Sequence, residues 1–297
     1  MKKLDIYHKS VLVREVVEYI NPQPGKTYID ATFGGGGHTR ALLQAQPECN
    51  ILAFDWDRNA LDTNAPAIAQ DFPDRVRFIW GSFGHMTQLL KKESITQVDG
   101  ILADFGTSQY QIGSAEGFSF AIDTPLDMRM SPGHYKVTAA DIVNRASEEE
   151  LATILYDYGE EHASRKIARA IVHYRNHVEP LWTTKQLAEL IKKTIPAAGR
   201  RIHPATKTFQ ALRIVVNDEL NNIKSLLTQS LDLLAPHGRL VCISFHSLED
   251  RIVKQFIKEH AAILENLTKK VVTAASDEIE VNKSSRSAKL RAAQKRA

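Results

Sequence analysis

Apolar residues in this chain cluster into short continuous runs separated by longer amphipathic stretches. Runs rich in β-branched and aromatic residues at 27–32, 50–55, 75–80, 98–104 and 238–245 read as buried strands. Helical periodicity fills 11–20, 39–46, 57–70, 86–92 and 206–234. Strands that alternate with helices in this way predict an α/β fold, a mostly parallel Rossmann-like sheet covered on both faces. Residues 105–237 separate the fourth and fifth runs, far more than one crossover helix requires, so a further element is inserted there.

The insert carries its own signals. Residues 106–132 are rich in Gly, Ser, Asp and Pro and predict an ordered loop region. Thr138 with Asp141, and Ser147 with Glu150, are capping-box pairs that open short helices. Longer helices are expected at 160–178, stopping before Pro180, and at 184–195, stopping before Pro196. The expected organisation is a discontinuous cofactor-binding domain, residues 1–105 and 205–297, interrupted by a helical subdomain at 106–204. After the fifth run, a helix at 247–260 and strands at 267–273 and 288–293 predict a sheet that finishes in an antiparallel hairpin.

At 297 residues and 43% hydrophobic content, the chain can bury a substantial core. Residues 1–20 mix Lys2, Lys3, Asp5, Arg14, Glu15 and Glu18 into their apolar positions, which fits neither a signal peptide nor a membrane span. A cytoplasmic protein is expected. Cys49 and Cys242 have no paired-ligand spacing, so neither a disulfide framework nor a metal site is expected. The net charge of +3 hides an uneven distribution, because 162–213 holds eleven Lys and Arg against two acids and 282–297 holds six against none. Two basic regions suggest a polyanionic partner, although either one alone reads equally as solvated faces.

The most specific chemistry lies between the first two strands. Asp30 ends the first run, Gly34-Gly35-Gly36-Gly37-His38 follows, a helix opens at Thr39, and Asp55 ends the second run. Glycines let backbone approach a ligand closely, and an acid at the second strand end is placed to accept both hydroxyls of a ribose. A dinucleotide needs a third glycine so that the helix can carry its pyrophosphate, and Arg40 occupies that position. S-adenosyl-L-methionine (SAM), an adenosine with an amino-acid end and no phosphate, needs only the close turn and the ribose acid. A nicotinamide dinucleotide is the rival. Asp30 or Asp104 would receive the ammonium group of SAM, and Phe83 lies where adenine would meet an apolar face, although such a residue is more often packed in a core.

Long motifs far apart in the chain add a family resemblance. They are His8-Lys9-Ser10-Val11-Leu12, residues 28–38, Pro125-Leu126-Asp127-Met128-Arg129-Met130, Tyr158-Gly159-Glu160-Glu161, residues 203–214 from His203 to Ile214, and residues 243–251 from Ile243 to Arg251. Together they closely resemble, nearly end to end, the MraW-type family of ribosomal RNA small subunit methyltransferase H. The resemblance implies a class I SAM-dependent methyltransferase fold with an inserted substrate-recognition domain. It also implies methylation of the exocyclic N4 of a cytosine in the decoding region of 16S rRNA. Its SAM contacts fall on Gly36, Gly37, His38, Asp55, Phe83, Asp104 and Gln111. Two stretches depart from the family pattern, Phe105 to Gln111 after the fourth strand and Asn282-Lys283-Ser284 near the end.

A cytosine N4 is a weak nucleophile, so acceptors that orient its N–H groups are expected. Asp104 and Ser108 after the fourth strand are the candidates, with His246-Ser247 after the fifth as the alternative. His246 reads equally as the cap of the following helix. No general base is identified. An unpaired or extruded cytosine is the expected target, with Arg200, Arg201, His203, Lys207 and Arg213 as RNA contacts. Each of these reads equally as a loop or helix-end charge. Tyr156, Tyr158, Tyr174 and Trp182 are expected to pack inside the insert. Small-subunit rRNA, within the subunit, is the expected partner, and a homodimer is left open.

Overall fold

Helices and strands alternate through the first hundred residues as the periodicity predicts. The computed structural model describes residues 9–106, 116–195 and 202–297. The chain divides into two units, Met1–Ser108 with Leu220–Ala297, and Gln109–Glu219.

The first unit begins α1 (Val13–Ile20), β1 (Thr27–Asp30), α2 (Gly37–Ala45), β2 (Asn50–Asp55), α3 (Arg58–Asp71), β3 (Val76–Trp80), α4 (Met86–Lys92) and β4 (Val98–Asp104). The second unit supplies α5 (Ala139–Arg145), α6 (Glu148–Asp157), α7 (Ser164–His177), α8 (Thr184–Thr194) and α9 (Thr206–Val216). The chain then runs through α10 (Glu219–Leu233), β5 (Leu234–Ser244), α11 (Ser247–Glu259), β6 (Leu264–Asn266), β7 (Val272–Thr273), α12 (Ser276–Val281) and β8 (Lys289–Lys295).

The sheet order is β3-β2-β1-β4-β5-β8-β6, with β7 also paired to β8. Strands β1 to β5 are parallel and β8 is antiparallel to its neighbours. This is a class I methyltransferase sheet, as the motifs imply. Alternate side chains feed two cores. Ile29, Leu52, Phe54, Ile101, Leu240 and Cys242 enter one, and Tyr28, Ile51, Ala53, Leu102, Val241 and Ile243 enter the other. Burial on both faces explains why these strands read as continuous apolar runs rather than as alternating ones.

Several expectations change. The strand expected at 267–273 is two short strands, β6 and β7, both laid on β8. Much of the basic tail is strand, β8, and two of its charges serve the fold. Arg291 Nε pairs with Asp250 Oδ1 at 2.6 Å, and Lys295 Nζ donates to the carbonyls of Leu231 and Leu234 at 2.5 and 2.7 Å. The helix expected at 160–178 starts only at Ser164, because Glu160 turns the chain at φ 48°.

The single helix expected at 206–234 is also broken, between Asn217 and Asp218, where Asp218 has φ 48°. Helix α9 packs Phe209, Ala211, Leu212 and Val216 into the core of the second unit, which therefore continues to Glu219 rather than ending at 204. Gly159 sits at a close approach to this helix, and a Cβ there would lie 2.6 Å from the Lys207 carbonyl oxygen. Both expected capping boxes form, Thr138 with Asp141 and Ser147 with Glu150. Tyr158 and Tyr174 pack against the core as expected, whereas Tyr156 and Trp182 are 58% and 57% exposed. Among the described residues, no helix is long and apolar enough to cross a membrane.

Asn217 is completely buried and joins the helix break to the loop before α5. Its Oδ1 accepts the Met130 N–H at 2.7 Å, and its Nδ2 donates to the carbonyls of Met128 and Arg213 at 2.8 and 2.9 Å. Asn217→Ala leaves the Met130 N–H and the Met128 carbonyl without this partner, while the Arg213 carbonyl keeps the backbone N–H of residue 217, and is expected to cost about 3 kcal/mol. Urea denaturation of the full chain measures this, and a change below about 1 kcal/mol would contradict the assigned role.

Candidate cofactor site

Elements of the first unit converge at the carboxyl edge of its sheet, where ligands bind in open α/β folds. β1 delivers Asp30, β2 delivers Asp55 and β4 delivers Asp104, and the turn before α2 lies among them. Gly34 and Gly36 hold φ values of 51° and 74°, which side chains resist. A Cβ on Gly36 would lie 2.9 Å from the Phe33 ring, and one on Gly37 would fall on Ser10 Oγ. The turn is therefore closely fitted on its protein side.

Two carboxylates hold the turn in place. Asp55 Oδ2 accepts the Gly34 N–H at 2.7 Å, and its Oδ1 accepts the Asp57 N–H at 2.8 Å. Asp30 Oδ2 accepts the Thr39 hydroxyl at 2.7 Å, and its Oδ1 accepts the Thr32 N–H at 3.2 Å. With no exposure and both oxygens engaged, Asp30 braces the turn from beneath. Asp104 differs, because its Oδ1 is buried and has no hydrogen-bond partner among the described residues. A buried polar atom left unsatisfied calls for a partner, and a ligand ammonium group would supply one. Of the two acids considered for that group, the geometry favours Asp104.

Burial raises all three carboxyls by disfavouring their charged forms. Asp55 is pushed up to about 7 against the opposing bonds from the Asp57 and Gly34 amides, and Asp104 to about 6 against the opposing field of His38. Asp30 moves in the same direction for the same reason.

His38 is 4% exposed, and its Nε2 lies 2.8 Å from the Val11 carbonyl oxygen. A carbonyl only accepts, so Nε2 carries the hydrogen. Nδ1 lies 4.0 Å from Asp104 Oδ2, within range of a charge interaction and beyond a hydrogen bond. One ring nitrogen is thus committed to the fold. The N–H groups of Gly37 and His38 open α2 and have no intrahelical acceptor, which suits them to a carboxylate. Phe83 is half-buried, with ring centroids of Trp56 and Phe105 at 6.0 and 6.2 Å. Ser10 and Val11 belong to the motif at residues 8–12 that carries the resemblance, but no site role was expected for them. Trp56 was not expected at the site either, and its one signal is an aromatic directly after the ribose acid.

Other expected site residues have different roles. His246 caps α11: its Nδ1 accepts the Glu249 N–H at 3.5 Å and its Nε2 lies 3.2 Å from Glu249 Oε1. The cap, one of its two expected readings, is thus present, while Nε2 is buried without a hydrogen-bond partner among the described residues. In the second unit, His203 stacks on Phe120 with centroids 4.4 Å apart, and Lys207 Nζ donates to the Glu160 carbonyl at 2.6 Å. Arg213 makes a two-pronged pair with Glu219 at 2.8 and 2.9 Å. Lys207 and Arg213 thus help hold the second unit together. Ser108, Gln111, Arg200 and Arg201 lie outside the described residues.

Residues 5–296 match the sequence model of the MraW methylase family. The chain belongs to the MraW methylase family. Several relatives carry the name ribosomal RNA small subunit methyltransferase H. The one from Deinococcus deserti is 48% identical over 291 residues, covering 98% of this chain and 94% of that protein. The one from Cyanothece sp. is 46% identical over 292 residues, covering 98% and 95%. Likeness to solved structures is far weaker: a putative methyltransferase from Streptococcus mutans in complex with SAH aligns over 97% of this chain and 98% of that one, at 14% identity and a TM-score of 0.44. Membership in the MraW methylase family removes the dinucleotide dehydrogenase reading.

The raised carboxyls give this MraW-family site a pH signature with opposite signs for stability and binding. Between the ordinary carboxylate range and about 7, folded Asp55 keeps a proton that the unfolded chain has lost. Its stabilising effect is therefore present at low pH and fades as pH rises through about 7, with Asp104 acting the same way through about 6. Ligand hydroxyls and ammonium favour the charged carboxylates, so affinity moves the other way. From pH 5.5 to 8, the thermal midpoint of the ligand-free protein is expected to fall while S-adenosylhomocysteine binding tightens, as read by scanning fluorimetry and calorimetry. Asp55→Ala is expected to weaken binding at least about tenfold with the fold retained. An affinity that is flat with pH, or an unfolded variant, would contradict the ribose-acid assignment.

Proposed function

We propose that the protein transfers a methyl group from SAM to the exocyclic N4 of a cytosine in the decoding region of small-subunit rRNA, in the cytoplasm. The observation that carries the cofactor reading is the unsatisfied Asp104 Oδ1 beside the glycine turn, in a chain of a methylase family. The residues present suit SAM. Asp55 has lone pairs left for ribose hydroxyls, the Gly37 and His38 amides suit the carboxylate, Asp104 suits the ammonium group, and Phe83 with Trp56 offers the adenine an apolar wall. When bound, SAM supplies an electrophilic methyl on a sulfonium.

The rRNA substrate is supported by the names of relatives 46–48% identical over nearly the whole chain. Amino methylation asks the protein to hold a poorly nucleophilic amine in line with the methyl and to offer acceptors for its hydrogens. The loop that follows Asp104 at the carboxyl edge of β4 is the proposed source of those acceptors. The Gln109–Glu219 unit is the proposed substrate-recognition domain.

Labelled SAM offered to small subunits lacking the modification, followed by nuclease digestion and mass spectrometry, tests this reading. N4-methylcytidine at a single position is the expected product. Label on a ring carbon or a ribose would sink the N4 assignment, and no incorporation would sink the rRNA assignment. Asp104→Ala is expected to weaken cofactor binding at least about tenfold, because a buried charge-assisted bond is lost.

A further inference from the structure

Helix α1 lacks a side-chain cap, and its N-cap residue is Leu12, held at φ 52°. The Leu12 N–H donates instead to Glu278 Oε1, at 2.8 Å and 266 residues away. A carboxylate there also meets the favourable end of the helix dipole. Four residues on, Asn282 Nδ2 donates to the Lys9 carbonyl at 2.9 Å. Asn282 is 4% exposed, so this bond lies inside the protein.

The strap between these two anchors, residues 9–12, is what the cofactor turn leans on. Ser10 Oγ fills the space where Gly37 would carry a side chain, and the Val11 carbonyl fixes His38. Every link from Asn282 and Glu278 to the first turn of α2 is therefore one short bond or close contact. We infer that Glu278 and Asn282 are positioning residues for SAM: by pinning residues 9–12 they set where the Gly37 and His38 amides point. This rests on the SAM-binding reading above. The same links run in reverse, since any change of cofactor affinity made by altering the strap must be matched by an equal effect of the cofactor on the strap.

Calorimetry with S-adenosylhomocysteine on the full chain tests this. Asn282→Ala and Glu278→Ala are expected to weaken binding about tenfold, with Glu278→Gln, which keeps an acceptor for Leu12, recovering most of the loss. His38→Ala is expected to weaken it as well, and His38→Gln, which can still donate to Val11, to restore it. Asn217→Ala, in the second unit, serves as the comparison, lowering the thermal midpoint while leaving the dissociation constant unchanged. Hydrogen exchange on the unmutated protein needs no variant to fold, and the ligand is expected to slow exchange at Leu12 and Asn282. Unchanged dissociation constants in the strap variants, or no slowing at Leu12, would overturn the inference while leaving SAM binding intact. Failure of the unmutated protein to bind S-adenosylhomocysteine would overturn the SAM reading and this one with it.

Discussion

The bond from the Gly34 N–H to the Asp55 carboxylate, 2.7 Å long, is the contact on which the site's shape depends. It fixes a left-handed glycine against the end of β2 and keeps the turn open toward the carboxyl edge of the sheet. Burying that carboxylate is costly, as its raised pKa of about 7 shows, and two backbone N–H groups only partly offset the cost. A stability-optimised fold would not gather three buried acids at one strand edge. A site built to accept hydroxyls and an ammonium group needs them there, and the ligand supplies what the fold leaves unsatisfied.

The three acids are not equivalent. Asp30 is saturated by Thr32 and Thr39 and works as a brace, Asp55 holds the turn through both oxygens, and Asp104 keeps one oxygen without a partner among the described residues. The partners each polar group finds therefore define its part in the fold more sharply than residue type does. The same criterion sorts the basic residues of the second unit. Arg175 donates to the carbonyls of Val143 and Ala146, Lys207 to that of Glu160, and Arg213 pairs with Glu219, so these cations are structural despite sitting in a basic stretch. Exposed Arg165, Lys166, Lys185 and Lys193 carry the positive charge that a polyanion would meet.

Much of the first unit was legible in the chain. Strands β1, β2 and β4 are buried on both faces, so their apolar runs are continuous and their ends are marked by Asp30, Asp55 and Asp104. The capping boxes at Thr138 and Ser147 were equally legible, because every atom they use lies within four consecutive residues. The break at Asn217 was not, since it depends on bonds to Met128 and Met130 across the second unit. Nor was the fate of the basic tail, whose Arg291 and Lys295 bond to groups on α11, α10 and β5 that its own sequence does not mention.

By itself, the sequence determined the parallel sheet, the glycine turn, the choice of SAM over a dinucleotide and the family, because each depends on local spacing or on long contiguous motifs. Only the tertiary structure decided which polar groups were already satisfied. It made Asp30 a brace, His246 a cap and the His38 ring a fold contact, and it brought Glu278 and Asn282 to the strap beside the turn. The physical reason is that a polar side chain's role is set by the partners it finds in space, and those partners here lie up to 273 residues away along the chain.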